Sequence, residues 1–197
     1  MSRAETGTGP MNAQPTILTR RLVLRPFVIA DAKDVMRLAG DKSIAANTLN
    51  IPHPYQAGMA EEWIASHPGK FEKGELANFA ITLAADQSLI GAIGLTIVPA
   101  HFRAELGYWI GRPFWGNGFA TESGKAVLKY GFETLGLERI HAGHFSNNPA
   151  SGKVMEKLGM RHEGALRKHV FKSGEFIDLE NYAVLKEEFQ TLAGAGS

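Results

Sequence analysis

The amino-acid sequence predicts a single α+β domain: a mixed, mostly antiparallel sheet of about seven strands flanked by helices. Three observations carry this expectation. Segments of apolar–polar alternation recur along the chain. Segments of helical period fall between them in the order β-α-α-β-β-β-α-β-α-β-β, which does not fit a repeating βαβ sheet. The length, 197 residues, is that of one domain, and such a domain buries about 70 % of the surface its unfolded chain exposes.

The elements follow in order. Ile17 to Arg25 (ILTRRLVLR) alternates in part and reads as a strand, ended by Pro26. Within Ala30 to Ala39, Val35, Leu38 and Ala39 fall at helical spacing, with Asp31 as the cap. A loop follows Ala39 and contains Ile51-Pro52-His53-Pro54-Tyr55, where two prolines in three residues forbid regular structure. Glu61 to His67 reads as a second helix, stopped by Pro68-Gly69. Three strands then form a meander, Asn78 to Leu83, Leu89 to Val98 and Ala104 to Ile110, with turns at Asp86-Gln87 and Pro99-Ala100.

After Gly118 the period changes. Ala120, Val127, Leu128, Gly131 and Leu135 fall on one helical stripe, and Gly136 supplies the stop. Glu138 to Phe145 returns to strand. Pro149 to Leu158 is a short helix, with Pro149 suited to its first turn and Gly159 ending it. Arg161 to Phe171 and Glu175 to Leu185 read as two strands joined by a hairpin turn at Ser173-Gly174. The domain is expected over 17–189. Met1 to Thr16 reads as a disordered leader without the apolar core of a signal peptide, and 190–197 as a flexible tail.

Composition narrows the chemistry. Apolar residues make up 44 % and charged residues 21 %, ordinary values for a globular domain. Cysteine is absent, which excludes disulfides, thiolate metal sites and a cysteinyl intermediate. Net charge is +1 with no basic run, so nothing marks a nucleic-acid footprint. No apolar stretch approaches the roughly 20 residues needed to span a bilayer, and a cytoplasmic location is expected.

The most informative segment is Leu106 to Glu122, LGYWIGRPFWGNGFATE. A strand runs into Gly111, Gly116 and Gly118, and a helix follows. Glycines let the backbone turn tightly and bring successive N–H groups near a ligand. The free N–H groups and positive dipole end of the next helix complete a cradle for a pyrophosphate. The spacing alone is neither G-x-x-x-x-G-K-[ST] nor G-x-G-x-x-G, and it also fits a plain glycine turn ahead of a helix.

The surrounding blocks add a resemblance. Trp115-Gly116-Asn117-Gly118-Phe119-Ala120 resembles the acetyl-CoA loop of the GNAT N-acetyltransferases, [QR]-x-x-G-x-[GA]. Gly118 and Ala120 match it, while Trp115 stands where glutamine or arginine is commoner. That substitution, together with Ala104 to Ile110, Ala120-Thr121-Glu122 and the opening Thr19 to Arg25, is similar to the ribosomal-protein N-terminal acetyltransferase (RimJ/RimL-like) branch. Asn147-Asn148-Pro149-Ala150-Ser151 and Lys157-Leu158-Gly159-Met160 resemble the family's N-x-x-[AS]…K-x-G-[FM] helix. The resemblance runs from about residue 17 to about residue 189.

The resemblance implies a GNAT fold whose sheet is splayed at the acetyl-CoA site, and a direct acetyl transfer to an amine. It implies that Trp109 and Ile110 border the pantetheine arm and that Ile110 and its neighbours bond it through the backbone. Trp115, Gly116, Asn117, Gly118, Phe119, Ala120 and Thr121 would hold the pyrophosphate, and Asn148 the pantetheine amide. Lys153 or Lys157 either approaches the phosphates or covers a solvated helix face.

The amine must lose a proton before attack, since an alkyl ammonium has a pKa of about 10.4. Glu105, on the strand leading to the loop, is the candidate general base; an ordinary exposed strand glutamate is the other reading. The family often places a tyrosine on the last helix to protonate the departing thiolate; Met155 occupies that place. Ser151, one turn earlier, is the candidate donor to the sulfur and also a cofactor contact, or else a serine capping its own helix. On the acceptor side His53, Tyr55 and Trp63 are candidate contacts, and packed or merely exposed residues otherwise. Phe102, Arg103, His141 and His144 also lie within reach of the cleft, with no spacing that suggests a metal site.

The expected partners are acetyl-CoA as co-substrate and an amine acceptor, either a protein N-terminus or a small molecule such as an antibiotic or polyamine. No metal, nucleic acid or membrane is expected, and a monomer and a homodimer fit equally. A silent acetyl-CoA-binding sensor and a general nucleotide-phosphate domain stand as competing readings.

Overall fold

The computed structural model describes residues 13–194. Its strands in chain order are β1 Ile17–Leu18, β2 Leu22–Pro26, β3 Leu76–Leu83, β4 Leu89–Val98, β5 Arg103–Ile110, β6 Arg139–Phe145, β7 Arg161–Lys172 and β8 Glu175–Leu185. Its α-helices are α1 Ala32–Ala39, α2 Lys42–Asn47, α3 Met59–Ala65, α4 His67–Glu72, α5 Phe119–Lys129, α6 Pro149–Lys157 and α7 Lys186–Gly194. The strands form one sheet in the order β1-β2-β3-β4-β5-β6-β8-β7. Every neighbouring pair is antiparallel except β5 with β6, which is parallel.

Helices cover both faces, and strand alternation sorts the side chains between them. On one face Leu24, Leu95, Ala104, Leu106 and Ile140 pack with Val127, Leu128 of α5 and Met155 of α6. On the other, Ala80, Ala92 and Trp109 pack with Val35, Leu38 and Ile64 of α1 and α3. Leu128 and Ile140 are fully buried, and each such side chain contributes roughly 1.5–3 kcal/mol.

The parallel pairing is short. It covers Arg103↔Arg139, Ala104↔Ile140 and Glu105↔His141, and stops there. Beyond it β5 stays with β4 as far as Gly91↔Ile110, and β6 stays with β8 as far as Phe145↔Leu179. Each strand follows its outer partner, so their inner edges part and a wedge opens between them. Glu105 and His141 stand at its vertex.

The elements depart from expectation at several points. The first predicted strand is two, β1 and β2, folded into a hairpin because Thr19 bonds Leu22 in both directions through its side chain and backbone. Asp31 makes no side-chain cap to α1. Its carboxylate instead grips Arg25 through two bonds, at 2.7 and 2.8 Å, and accepts the Val28 amide. Burial raises the Asp31 pKa, but those bonds and the Arg25 charge outweigh it and hold the carboxyl below its usual range.

Helix α2 lies in the expected loop; Asp41 caps it by accepting the Ser43 amide. Pro68 does not end the second helical region but sits in the first turn of α4, where its missing N–H costs nothing. Helix α5 runs on through a π-helical stretch, Tyr130–Thr134.

At the C-terminus α7 crosses the expected boundary at 189, and Phe189 packs on Phe132 with ring centroids 5.1 Å apart. The expected leader, apart from residues 13–16, and the last residues of the expected tail lie outside the described residues. No helix among the described residues is long and apolar enough to cross a membrane.

Candidate active site

The wedge leaves backbone groups of β5 without a strand partner. Gly111 donates its amide to Ile90 on the β4 side; by the alternation of a strand, the amides of Tyr108 and Ile110 face the other way, into the wedge. The Trp115 indole N–H takes the Ile110 carbonyl at 2.5 Å. That bond fastens the glycine loop to the end of β5. It also occupies the Ile110 carbonyl, so of that residue's backbone groups the N–H is the one left facing the wedge.

A cavity of about 430 Å³ follows this edge of the sheet. Of the residues expected to hold the cofactor, Trp109, Ile110, Trp115, Gly116, Gly118, Phe119, Ala120, Thr121, Asn148 and Ser151 line it. Asn117 does not. Its side-chain amide turns back to the carbonyls of Phe114 and Trp115, at 3.1 Å each, and braces the loop from within. Lys153 and Lys157, one turn apart on α6, both line the cavity.

Gly116 and Gly118 have φ of 77° and 76°, the left-handed region that side-chained residues avoid. Gly118 precedes α5 with no side-chain cap, so the first-turn amides of the helix stay free. Nothing lies within 4 Å of a Cβ placed on Gly116. The result is open space bordered by donors, the geometry an anion needs. The cradle is held by Glu122 in the first turn of α5, which accepts from Thr19 Oγ1, the Arg21 amide and Arg21 Nε at 2.7–2.8 Å. Burial raises the Glu122 pKa, but these three bonds outweigh it and keep the carboxylate ionised.

A second, larger cavity of about 740 Å³ opens on the other side of the wedge. Five residues, Asn47, Thr48, Tyr108, Trp109 and Ser151, line both cavities. They form a waist where a group held in one cavity meets a group held in the other. At this waist the hydroxyls of Tyr108 and Ser151 are 2.8 Å apart. Burial pushes the Tyr108 phenol up, with the Ser151 bond opposing, so it stays protonated at neutral pH. The rim above Thr48 is tied down from the hairpin, where Lys172 Nζ donates to the Thr48 carbonyl at 2.5 Å.

Glu105 lines the larger cavity and is exposed to it. His141, its register partner, lines the same chamber, and its Nδ1 is buried without a partner. Burial lowers the His141 pKa, against the opposing charge of Glu105. His144, also expected near the cleft, donates through Nδ1–H to the Phe145 carbonyl, 2.8 Å away. Its Nε2 is pressed against α6, where a Cβ on Gly152 would come within 2.8 Å.

Tyr55 and Trp63 line the larger chamber. His53 does not; it is exposed and bonds the Gly40 carbonyl at 3.1 Å. Phe102 and Arg103 also lie off both cavity walls. Met155, at the place where the family often has a tyrosine, is a core residue of α6 that reaches the chamber wall.

Sequence reasoning missed Asn47 and Thr48, because the helix carrying them was read as loop. It named Tyr108 only as part of a motif. The signal for Tyr108 was present in strand alternation: it shares a face with Leu106 and Ile110, the face that α6 covers.

Residues 21–161 match the family model described as an acetyltransferase (GNAT) domain. The uncharacterized N-acetyltransferase YoaA of Bacillus subtilis is 31 % identical over 173 residues, covering 87 % of this chain and 97 % of that protein. Two solved structures under a quarter identical share the fold. A RimL ribosomal L7/L12 α-N-protein acetyltransferase in complex with coenzyme A superposes with a TM-score of 0.79 at 19 % identity, covering 87 % of this chain and 98 % of that one. The spermidine N-acetyltransferase of Vibrio cholerae, in complex with CoA and spermine, has a TM-score of 0.76 at 24 % identity, covering 87 % and 99 %. With a glycine loop opening a helix at the edge of a splayed sheet, and a family match over most of the domain, the chain belongs to the GNAT acetyltransferases.

Proposed function

We propose that this acyltransferase moves an acetyl group from acetyl-CoA to a primary amine by direct attack in a ternary complex. The observation that carries the reading is the waist at Tyr108 and Ser151, common to a donor cavity bordered by the glycine loop and a separate chamber containing Glu105. Two substrates entering from opposite sides meet at that point. The structural neighbour named as a ribosomal α-N-protein acetyltransferase supports a protein N-terminus as one form of the amine.

The residues divide the work as follows. Amides from Trp115 to Ala120 and the first turn of α5 hold the pyrophosphate, with Lys153 and Lys157 beside it. The wedge-facing amides of Tyr108 and Ile110, with Asn148, align the pantetheine arm. Glu105 accepts the proton that the ammonium must lose, directly or through water. The nitrogen then bonds the acyl carbon, the C–S bond breaks, and the sulfur departs as a thiolate; the second proton that the nitrogen sheds in becoming an amide goes to that thiolate or to water. Ser151 donates a hydrogen bond to that sulfur while Tyr108 donates to Ser151. A thiol with a pKa of about 8.5 leaves readily, so this assistance is modest. Without cysteine in the chain, no cysteinyl acyl-enzyme intervenes.

Thermal shift with CoA, ATP and NAD tests the donor assignment: CoA is expected to stabilise the protein most, and no shift with CoA refutes the reading. Thiol release from acetyl-CoA with a panel of amines and N-terminal peptides tests the transfer. Met155, which cannot donate a proton, favours one second reading, a silent acetyl-CoA sensor. Tight acetyl-CoA binding with no turnover on any amine would support it.

A further inference from the structure

Among the described residues the acceptor chamber carries one carboxylate: of those that line it Glu105 is the only acid, and none is a lysine or arginine. Histidines 141, 144 and 169 and two tyrosines complete its titratable set. Other polar positions are filled by neutral amides, including Asn50, Asn78 and Asn181, and not by carboxylates. Much of the wall is aromatic or aliphatic: Tyr55, Trp63, Trp109, Met59, Leu166 and Leu179.

From this distribution we infer that the acceptor is a primary amine with a single positive charge on an aromatic or other bulky apolar body. The inference rests on the acetyl-transfer reading of the site. One carboxylate pairs with one ammonium. A second or third ammonium, as in a polyamine, would leave water without a counter-charge, and an unpaired charge in a partly apolar cavity is strongly disfavoured. The apolar walls gain instead from covering an apolar body, in proportion to the area removed from water. At about 740 Å³ the chamber is in the range of ligand pockets, roughly 300–1,000 Å³, and holds more than a simple alkylamine. Two sources share this chemistry, a free arylalkylamine and a chain beginning with an aromatic residue.

The test compares initial rates of thiol release from acetyl-CoA with phenethylamine, tryptamine and a Phe-Gly amide dipeptide against putrescine, spermidine and spermine. At least one of the first three is expected to exceed spermidine in kcat/KM by about tenfold or more; which one does so separates the free amine from the chain terminus. Equal or better use of spermidine overturns the inference. Thr96 is exposed, lines the chamber and pairs with Glu105 across β4 and β5. Thr96→Glu supplies a second carboxylate and is expected to raise kcat/KM for spermidine several-fold. An unchanged ratio of spermidine to phenethylamine in that variant counts against the charge argument.

Calorimetric binding of phenethylamine and spermidine to the CoA-saturated protein separates the two levels of the reading. If CoA binds and no amine turns over, acetyl transfer fails as a function, while the affinity ranking still decides the chamber's preference. Tighter phenethylamine sustains the inference; tighter spermidine, or binding of neither, overturns it.

Discussion

The hydroxyl groups of Tyr108 and Ser151 hydrogen-bond at 2.8 Å across 43 residues of sequence, one from β5 and one from the first turn of α6. Both side chains border the two cavities that meet at the wedge. Burial keeps the phenol protonated, so Tyr108 is able to donate to Ser151 and, in the proposed mechanism, does so while the serine proton turns to the sulfur.

Tyr108→Phe and Ser151→Ala are each expected to lower kcat by about tenfold, less than the roughly hundredfold or more of full proton-transfer catalysis because a thiolate leaves well. CoA affinity should change little. The double variant should be no slower than Ser151→Ala alone, since the phenol acts through the serine; additive losses in the double-mutant cycle would show that the two act separately.

Glu105→Gln keeps the shape of the side chain and removes the proton acceptor. Turnover is expected to fall by about a hundredfold and its pH dependence to change. Because Glu105 does not line the donor cavity, calorimetry should give an unchanged CoA dissociation constant. Wild-type rates in this variant would remove Glu105 from the mechanism.

Gly118→Val places a β-branched residue at φ 76°, a strain of about 1–3 kcal/mol, at the mouth of the donor cavity. CoA affinity is expected to fall at least about tenfold. Circular dichroism melts separate loss of the cradle from loss of the fold. Unchanged affinity in a folded variant would refute pyrophosphate binding at this loop.

His67 is buried among Phe27 and Trp63, with ring centroids 5.5 and 4.5 Å away, and accepts from Asn78 Nδ2 at 3.2 Å. Burial, with the nearby Lys70 charge, depresses its pKa from 6.5 to about 4. The unfolded chain therefore binds this proton more readily than the folded one between those values, and stability falls as pH drops through that window. The loss amounts to about 3 kcal/mol at its limit. His67→Phe keeps an aromatic ring and should flatten the pH dependence of denaturant midpoints between pH 6.5 and 4. A slope as steep as that of the wild type would place its source elsewhere. Asp31 and Glu122, whose carboxyls are held below their ordinary 3.8 and 4.5, lose their contributions as pH falls from those ordinary values toward the depressed ones, so they overlap only the acid end of this window.

Much of the donor side was legible in the sequence because it is local. The left-handed glycines, the strand before them and the helix after them are contiguous, and ten of the eleven residues expected to hold the cofactor line one cavity. The Asn117 side chain stays off that wall because, short and in a tight loop, it bonds its own backbone. Asp31, expected as a cap, went instead to Arg25, a partner set by the turn between β2 and α1.

By itself the sequence determined the α+β class, the order of the longer elements, the glycine loop that opens a helix and the presence of a candidate carboxylate on β5. These depend on periodicity and on residues close in the chain. Only the tertiary structure decided where β5 and β6 stop pairing, that Tyr108 reaches Ser151, that α2 brings Asn47 and Thr48 to the waist, and that His53 stays outside. Those facts follow from how distant segments pack, and the energy that fixes them comes from contacts between elements, which no local pattern records.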